Sequence, residues 1–420
     1  MTGLVAALVA VAGAHLAQGA VTDHENDLFK KNIGLYLTRD SWNDSLAYLH
    51  GHFYMVPLHA AFLLDDKDWQ NQFEAHYKRL VAVPRSQLCQ NPLSRLQYLY
   101  TATRFLALSA QAGRQSPVNA PLTKYLSDEI VDRWENQDAI GFDIPHFHGV
   151  KERIEHKLTL VNPAKSYYAA ITDEEAFLFA EAADLLYVEK KTGAKNPLHG
   201  TLQEIVRTGN QVYHDRGSFE GKGWLFDVGK WTDHPDLVYA GNKEITFGMV
   251  QKKVSDITMD TSHFHRFALF VTSMRNSYDP GSGDYKYFDR IRTALAYQLN
   301  KVVLKKPDAK FSGYRLTNFM NGMNGVYRYG SASDVGADKG YGPYELSGTF
   351  LIGWWSFLGD PDVDKAYADI AGMFPLSEDI LRVYQGPTYA APPRKDKSWY
   401  ENGLAELFAS LGGKMPPLAP

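Results

Sequence analysis

The sequence predicts an all-α protein, and more specifically an (α/α) barrel or toroid of antiparallel helix pairs with long functional loops. Apolar residues recur at spacings of three and four over several long segments, whereas the alternation typical of strands is scarce. Long connectors rich in glycine and aromatic residues separate these segments, and connectors of this length usually carry function. No linker-like composition divides the chain, so we expect a single barrel domain over residues 21–420.

The helical periodicity is clearest in three segments, residues 45–64, 93–112 and 173–191. The third opens with a capping box, in which Thr172 caps the helix and Glu175 reaches back to it. Further helices are predicted over residues 202–213, 262–275, 287–303, 348–357, 363–373 and 399–411. The longest connectors cover residues 142–151, 217–243 and 311–344.

Residues 1–20 predict a signal peptide and therefore a secreted protein, either extracellular or periplasmic. An apolar run from Leu4 to Ala12 is followed by small residues at positions 17–20 that suit cleavage, although no Lys or Arg precedes the run. The alternative is a first apolar helix. No later stretch reaches the ~20 apolar residues of a transmembrane helix. We expect no membrane partner, since the net charge of −4 gives no reason to expect binding to an anionic membrane.

Composition and charge exclude other classes. The chain has 420 residues, 45% of them hydrophobic, which is long enough to bury a sizeable core. Its formal net charge of −4 argues against a nucleic-acid-binding surface. Cys89 is the single cysteine, so an intramolecular disulfide is impossible.

The segment "MDTSHFHRF" (residues 259–267) concentrates ionisable side chains at the start of a predicted helix. Asp260 or Thr261 is expected to cap this helix, with His263 on the same face as Asp260, Arg266 beside it and His265 on another face. A helix N-terminus with imidazoles and a guanidinium suits a carboxylate ligand. A metal site is the competing hypothesis, but this spacing does not place its ligands on one face, so no metal is predicted. A third interpretation is a helix cap with a core histidine.

Three connectors add further candidates. Rings of tryptophan and tyrosine stack on sugars, while amides, carboxylates and imidazoles bind hydroxyl groups. Residues 223–244 supply Trp224, Trp231, Asp233, His234, Asp236, Tyr239, Asn242 and Glu244. Residues 318–348, rich in glycine, supply Asn321, Asn324, Tyr327, Arg328, Tyr329, Tyr341 and Tyr344. Residues 142–151 add His146 and His148.

Arg, Asn, His and Tyr on loops suit β-elimination from a uronic acid. The proton on C5 becomes acidic when the neighbouring carboxylate is neutralised; a Tyr or His removes it, and a Tyr returns a proton to the glycosidic oxygen. Hydrolysis remains the alternative, because it needs two carboxylates that flank the bond. Such a pair could come from Asp233, Asp236, Glu244 and Asp260.

The segments "GWLFDVGKWTDHPDLVYAGN", "DTSHFHR" and "NGMNGVYRYG" resemble the secreted (α/α)-barrel polysaccharide lyases of family 38, which act on glucuronan and alginate. The resemblance covers roughly residues 223–348. It implies an endo-acting lyase with tyrosine as base and acid, with Arg, His and Glu around the substrate carboxylate, and with no metal or other cofactor. It leaves open which tyrosine transfers the proton.

We therefore expect a lyase that cleaves an anionic, uronate-containing polysaccharide. The expected catalytic residues are Tyr327, Tyr329, Arg328, His263 and His265. The expected substrate-binding residues are Asn242, Glu244, Arg266, His234, Trp231, His148 and Tyr341. A glycoside hydrolase on the same barrel and a non-catalytic carbohydrate-binding protein are the alternatives.

Overall fold

The computed structural model describes residues 19–330, 339–388 and 398–417, and the all-α prediction is confirmed. The predicted signal peptide lies outside this description except for residues 19 and 20. The α-helices are α1 (Asp23–Phe29), α2 (Leu35–Leu37), α3 (Ala47–Phe53), α4 (Met55–Leu63), α5 (Lys67–Val81), α6 (Pro92–Gln111), α7 (Asn119–Glu135), α8 (Gly149–Thr159), α9 (Asp173–Thr192), α10 (His199–Arg216), α11 (Thr261–Phe264), α12 (Phe267–Ser277), α13 (Gly283–Gln298), α14 (Pro361–Ala371), α15 (Glu378–Gln385) and α16 (Leu404–Gly412).

Short elements complete the fold. Two π-helical turns, Lys30–Gly34 and Leu299–Val303, extend α1 and α13. Turns of 3-10 helix cover Arg85–Gln87, Ser166–Ala169, Ser347–Ile352, Trp354–Leu358 and Gly386–Thr388. The described strands form three antiparallel pairs: β1 (Asp138–Ala139) with β2 (Phe147–His148), β3 (Gly217–Glu220) with β4 (Gly223–Phe226), and β5 (Leu304–Lys305) with β6 (Arg315–Leu316). The predicted connectors 142–151, 217–243 and 311–344 therefore contain short strands that the sequence did not indicate.

The predicted capping box of α9 is confirmed, since Glu175 accepts a hydrogen bond from the amide of Thr172 at 2.6 Å.

Three helix predictions need correction. The segment 45–64 breaks at Tyr54, because Pro57 lacks the amide that would bond to the carbonyl of Phe53. The segment 262–275 is split between α11 and α12, where the Arg266 amide bonds three residues back to His263. The segment 348–357 forms two 3-10 helices around Gly353, whose φ is +91°.

Helix α9 lies in the interior, because it carries apolar residues around its whole circumference and a helix of that kind must be buried on all sides. It packs against α6, α7, α10 and α12. Helix α6 also packs on α3 and α4, and α12 packs on α13 and on the 3-10 turn Trp354–Leu358. Helix α16 in turn contacts α4, α14 and the turn Ser347–Ile352. The main core thus runs from the first helices of the chain to its last one.

A second, smaller core lies beneath the two loops that carry most of the predicted site. It consists of Leu237, Ala240, Ile257, Phe319, Tyr327 and Leu346. Gly325 allows the two loops to meet, because a Cβ at this position would lie 1.6 Å from the carbonyl oxygen of Ala240. Asn318 holds the second loop together by donating to the carbonyls of Gly325 and Gly342 at 2.9 and 2.8 Å, and its own carbonyl accepts from the amide of Thr261 at 3.0 Å. The small core therefore fixes how residues 227–260 face residues 317–330 and 339–346.

In the part of the chain that the structure describes, no helix has both the length and the apolar character needed to cross a membrane. Cys89 is buried, and burial raises the pKa of its thiol to about 11. A thiol of that kind is a poor nucleophile.

Candidate active site

A cleft of about 350 Å³ opens where the N-terminal ends of α6, α9 and α11 meet the long loops. Its size falls within the range of small-molecule sites. Five predicted residues from three separate parts of the sequence line it: Trp231, His234, His263, Tyr327 and Arg328. The other lining residues are Leu93, Ile140, Gly141, Phe142, Arg153, Lys157, Thr172, Asp173, Glu174, Asp236, Leu237, Met259 and Asp260.

Asp260 and His263 form a hydrogen-bonded pair at the start of α11. As expected, Asp260 caps the helix, accepting from the amides of Ser262 at 3.0 Å and His263 at 3.2 Å. The same carboxylate binds Nδ1 of His263 at 2.8 Å. Burial opposes the charged form, but His263 and the surrounding hydrogen bonds outweigh it and hold the pKa of Asp260 below its usual value. The carboxylate therefore orients the imidazole and leaves Nε2 for proton transfer.

Tyr327 lies against the same carboxylate. Its side chain is 2% exposed, it belongs to the small core, and its hydroxyl interacts with Asp260. Burial, and then the negative charge of Asp260, raise the pKa of Tyr327 well above that of a free tyrosine. The phenol is therefore held in its protonated form beside the cleft.

Arg328 is placed by an unusual backbone conformation. Its φ is +57°, which is uncommon for a residue with a side chain, and its amide bonds to the carbonyl of Asp236 at 2.8 Å. Its Nε also donates to the Asp236 carboxylate at 3.0 Å. The amide of Asp236 in turn donates to Nδ1 of His234 at 3.3 Å, which assigns the proton of a neutral His234 to Nε2. Burial is the main cause that lowers the pKa of His234.

Aromatic rings form one side of the cleft. The rings of Trp231 and Phe142 lie 5.4 and 6.0 Å from His234, and Tyr167 lies 5.0 Å from it. Phe142 is 41% exposed, whereas Trp231 is partly buried. The group offers apolar ring surface of the kind on which the faces of sugars stack.

Next to these rings the cleft carries a charge network that the sequence analysis missed, with Nζ of Lys157 5.9 Å from the centre of the Phe142 ring. Arg153 and Lys157 lie one turn apart on α8 and bind Glu175 at 2.8 and 2.7 Å. Arg153 also binds Glu174 at 2.8 Å. In the sequence, Glu174 and Glu175 fit the usual acidic first turn of a helix, and Arg153 and Lys157 fit a solvated helix face. The one local signal was their spacing of four, which by itself indicates only a shared face.

Two predicted residues of the "DTSHFHR" segment do not line the cleft. His265 is fully buried against the rings of His52 and Trp354, at 5.6 and 5.3 Å, and burial lowers its pKa well below the usual value. Arg266 is also buried; it pairs with Asp173 and donates to the hydroxyl of Tyr48 at 3.1 Å. Arg266 therefore supports the wall of the cleft from behind, since Asp173 is a lining residue.

The other predicted residues do not line the cleft. Some form hydrogen bonds with backbone groups away from it, and others are exposed to solvent. Tyr329 is buried, and its hydroxyl donates to the carbonyl of Thr246 at 3.1 Å. Asn242 donates to the carbonyls of Tyr239 and Val250, at 3.2 and 3.1 Å, and so shapes its own loop. Tyr341 pairs with Tyr327 through backbone hydrogen bonds. Glu244 and His148 are exposed outside the cleft.

Within the described residues, no group of three or more His, Cys, Asp or Glu side chains has the arrangement of a metal site. No protein-family model, curated protein sequence or solved structure matches this chain.

Proposed function

We propose that the protein is a polysaccharide lyase that cleaves a uronate-containing chain of the glucuronan or alginate type by β-elimination. The observation that carries the proposal is the convergence of His263, Tyr327 and Arg328 on one cleft around the carboxylate of Asp260. This set contains a base, an acid and a cation, which are the three functions that the reaction needs.

Each residue has a defined task in this mechanism. Arg328 binds the carboxylate of the reacting sugar and lowers the pKa of the C5 proton. Nε2 of His263 removes that proton while Asp260 stabilises the resulting imidazolium through Nδ1. The C4–O bond breaks as a C4–C5 double bond forms, and Tyr327 donates its proton to the departing glycosidic oxygen. Asp260 interacts with both His263 and Tyr327, so it can assist return of the proton to the tyrosine after release.

The environment of Tyr327 favours the acid role for this residue. A tyrosine that acts as base must be deprotonated before it reacts, and burial beside Asp260 opposes that form. His263 is half-buried, lines the cleft and has one nitrogen fixed by a carboxylate, which suits the base. The tyrosine base implied by the family resemblance is therefore replaced in this proposal by a histidine.

Glycoside hydrolysis is the second candidate, because Asp236 and Asp260 both line the cleft. A hydrolase needs one carboxyl group in its protonated form to donate to the leaving oxygen. Three of the four acidic lining residues are paired with cations: Asp173 with Arg266, Glu174 with Arg133 and Arg153, and Asp236 with Arg328. The fourth, Asp260, accepts hydrogen bonds from His263 and Ser262, and its pKa lies below the usual value although burial opposes this. Cationic partners favour the ionised carboxylate, so the arrangement supports the lyase.

The helix packing supports an (α/α) barrel as the scaffold. Helices α4, α6, α9 and α12 contact one another in succession, and the 3-10 turns near residue 350 and α16 continue this series back to α4. Helices α5, α7, α10 and α13 each pack on a member of the series or on each other. We propose that the first set forms the inner ring, with the cleft at one end, and that the mature enzyme is secreted.

The proposal is tested by following two signals on glucuronan, alginate and a neutral glucan. A lyase produces new reducing ends together with ultraviolet absorbance, because elimination leaves a double bond conjugated to the carboxylate. A hydrolase produces reducing ends without that absorbance. A non-catalytic binding protein produces neither signal but binds the polymer.

A further inference from the structure

Among the residues that the structure describes, the charge network on the α8 side of the cleft contains one more cation than it has carboxylates. Arg133, Arg153 and Lys157 interact with Glu174 and Glu175, so three positive charges face two negative ones. All five side chains are at most 14% exposed. Asp227 lies nearby, but Arg216 pairs with it at 3.9 Å. A buried cation in excess is costly unless an anion accompanies it.

Arg153 has an unused donor in this network. Its Nε binds Glu175 at 2.8 Å, and its Nη1 binds Glu174 at 2.8 Å and the carbonyl of Ile140 at 3.1 Å. Its Nη2 has no hydrogen-bond partner among the described residues, although the side chain is only 3% exposed and lines the cleft. Buried guanidinium nitrogens normally have acceptors, so this one indicates a missing ligand.

Asp173 offers the complementary feature. One of its carboxylate oxygens binds Arg266, whereas Oδ1 is buried without a hydrogen-bond partner in the described part of the chain. Asp173 lines the same cleft. The wall therefore presents an unused donor on Arg153 and an unused acceptor on Asp173. A ligand that carries a carboxylate and a hydroxyl group would satisfy both.

We infer that Arg153 and Lys157, with Asp173, form a second subsite that binds the carboxylate of a neighbouring sugar while Arg328 holds the reacting one. This inference rests on the proposed function and deepens it by assigning residues to a second sugar. Two separate cationic groups in one cleft fit a polymer with carboxylates on consecutive sugars, as in glucuronan and alginate. Arg153 and Lys157 bind the anion, and Asp173 accepts a hydroxyl group of the same sugar.

The test measures binding of glucuronate and mannuronate tetramers, and of the neutral tetramers obtained by reducing their carboxyl groups, by calorimetry on the full chain. The variants are Lys157→Gln, which can still donate to Glu175, and Arg153→Lys, which keeps the charge but has one ammonium in place of the three guanidinium nitrogens, Nη2 among them. Lys151→Gln is the matched control, since Lys151 lies on the same helix but pairs with Glu204 outside the cleft. Circular dichroism establishes that each variant is folded.

We expect Lys157→Gln and Arg153→Lys to weaken binding of an acidic tetramer about tenfold or more, with the neutral tetramers and Lys151→Gln unaffected. Two folded variants that bind the acidic tetramers as the wild type does would overturn the subsite. Equal losses for acidic and neutral tetramers would also overturn it.

The proposed function and the subsite can fail separately. Selective binding that depends on Lys157, without any unsaturated product, supports the subsite and refutes the lyase. Formation of unsaturated product with an unchanged KM in Lys157→Gln refutes the subsite and leaves the lyase intact.

Discussion

Replacing Tyr327 with phenylalanine is expected to remove most of the lyase activity while the protein stays folded. The substitution deletes only the hydroxyl, which interacts with Asp260 and which, in the proposed mechanism, donates the proton to the leaving oxygen. The ring remains in the small core with Phe319 and Leu346. The loss therefore reports on proton transfer and not on packing.

The size of both effects follows from the contacts. Proton donation by a placed acid contributes about 10²–10⁴ in rate, or about 3–5 kcal/mol of the activation barrier. The cost in folding stability is about 1 kcal/mol, because Asp260 keeps its bonds from His263 and from the amides at the start of α11. We expect kcat on a uronan to fall by about 10²–10⁴ with a small change in KM.

Tyr329→Phe is the matched control, because Tyr329 is also buried but its hydroxyl binds the carbonyl of Thr246 and does not line the cleft. This variant should lose about 1 kcal/mol of stability and keep its kcat within about twofold. Initial rates by ultraviolet absorbance, with urea unfolding in parallel, measure both quantities. Full activity in Tyr327→Phe, or a larger loss in Tyr329→Phe, would refute the assignment of the acid.

Three other substitutions test a buried carboxyl group, the aromatic side of the cleft and the contact between the two loops. Burial, followed by the charges of Glu129 and Asp184, raises the pKa of Glu181 well above its usual value. The stability that protonated Glu181 contributes is therefore present below the unfolded pKa of about 4.3 and is lost as pH rises through the folded pKa. Glu181→Gln should therefore raise the free energy of unfolding by about 1–3 kcal/mol near neutral pH and by much less near pH ~4. Urea unfolding measures this free energy at both pH values, and an equal increase at the two would contradict the prediction. Trp231→Ala should raise KM about 3- to 10-fold with little change in kcat, because the lost ring contributes stacking and not proton transfer; a selective fall in kcat would count against this role. Gly325→Ala should destabilise the loops by at least about 2 kcal/mol, since its Cβ would meet the Ala240 carbonyl, whereas Gly200→Ala, with open space around it in α10, should be neutral or stabilising in thermal unfolding.

Much of the helical fold could be predicted from local signals. Apolar periodicity located the long buried helices, and the capping box gave the start of α9. The break at Tyr54 was readable in principle from Pro57, because a proline inside a helical pattern interrupts it. The two 3-10 turns around Gly353 depended on close packing that periodicity does not describe.

The candidate site was predictable where several ionisable residues share one loop. It was less predictable where the direction of a side chain decides whether the residue lines the cleft. In an extended segment Tyr327 and Tyr329 would point the same way, but the positive φ of Arg328 breaks that alternation, and the sequence gives no sign of it. His263 and His265 differ by two helical positions, so one faces the cleft and the other the core. Arg153 and Lys157 reach the cleft only because α8 packs beside the start of α9, and such long-range contacts leave no pattern in a single sequence.

The most direct measurement is the joint record of ultraviolet absorbance and reducing ends when the purified wild-type protein is incubated with glucuronan, alginate and a neutral glucan, with and without EDTA. We expect both signals to rise together on at least one uronan and the neutral glucan to stay intact. EDTA should not change the rates, because Arg328 and not a metal ion neutralises the carboxylate in the proposed mechanism. Reducing ends without absorbance would contradict β-elimination and redirect attention to Asp236 and Asp260, and an absence of both signals on every uronan would contradict the catalytic role of the cleft.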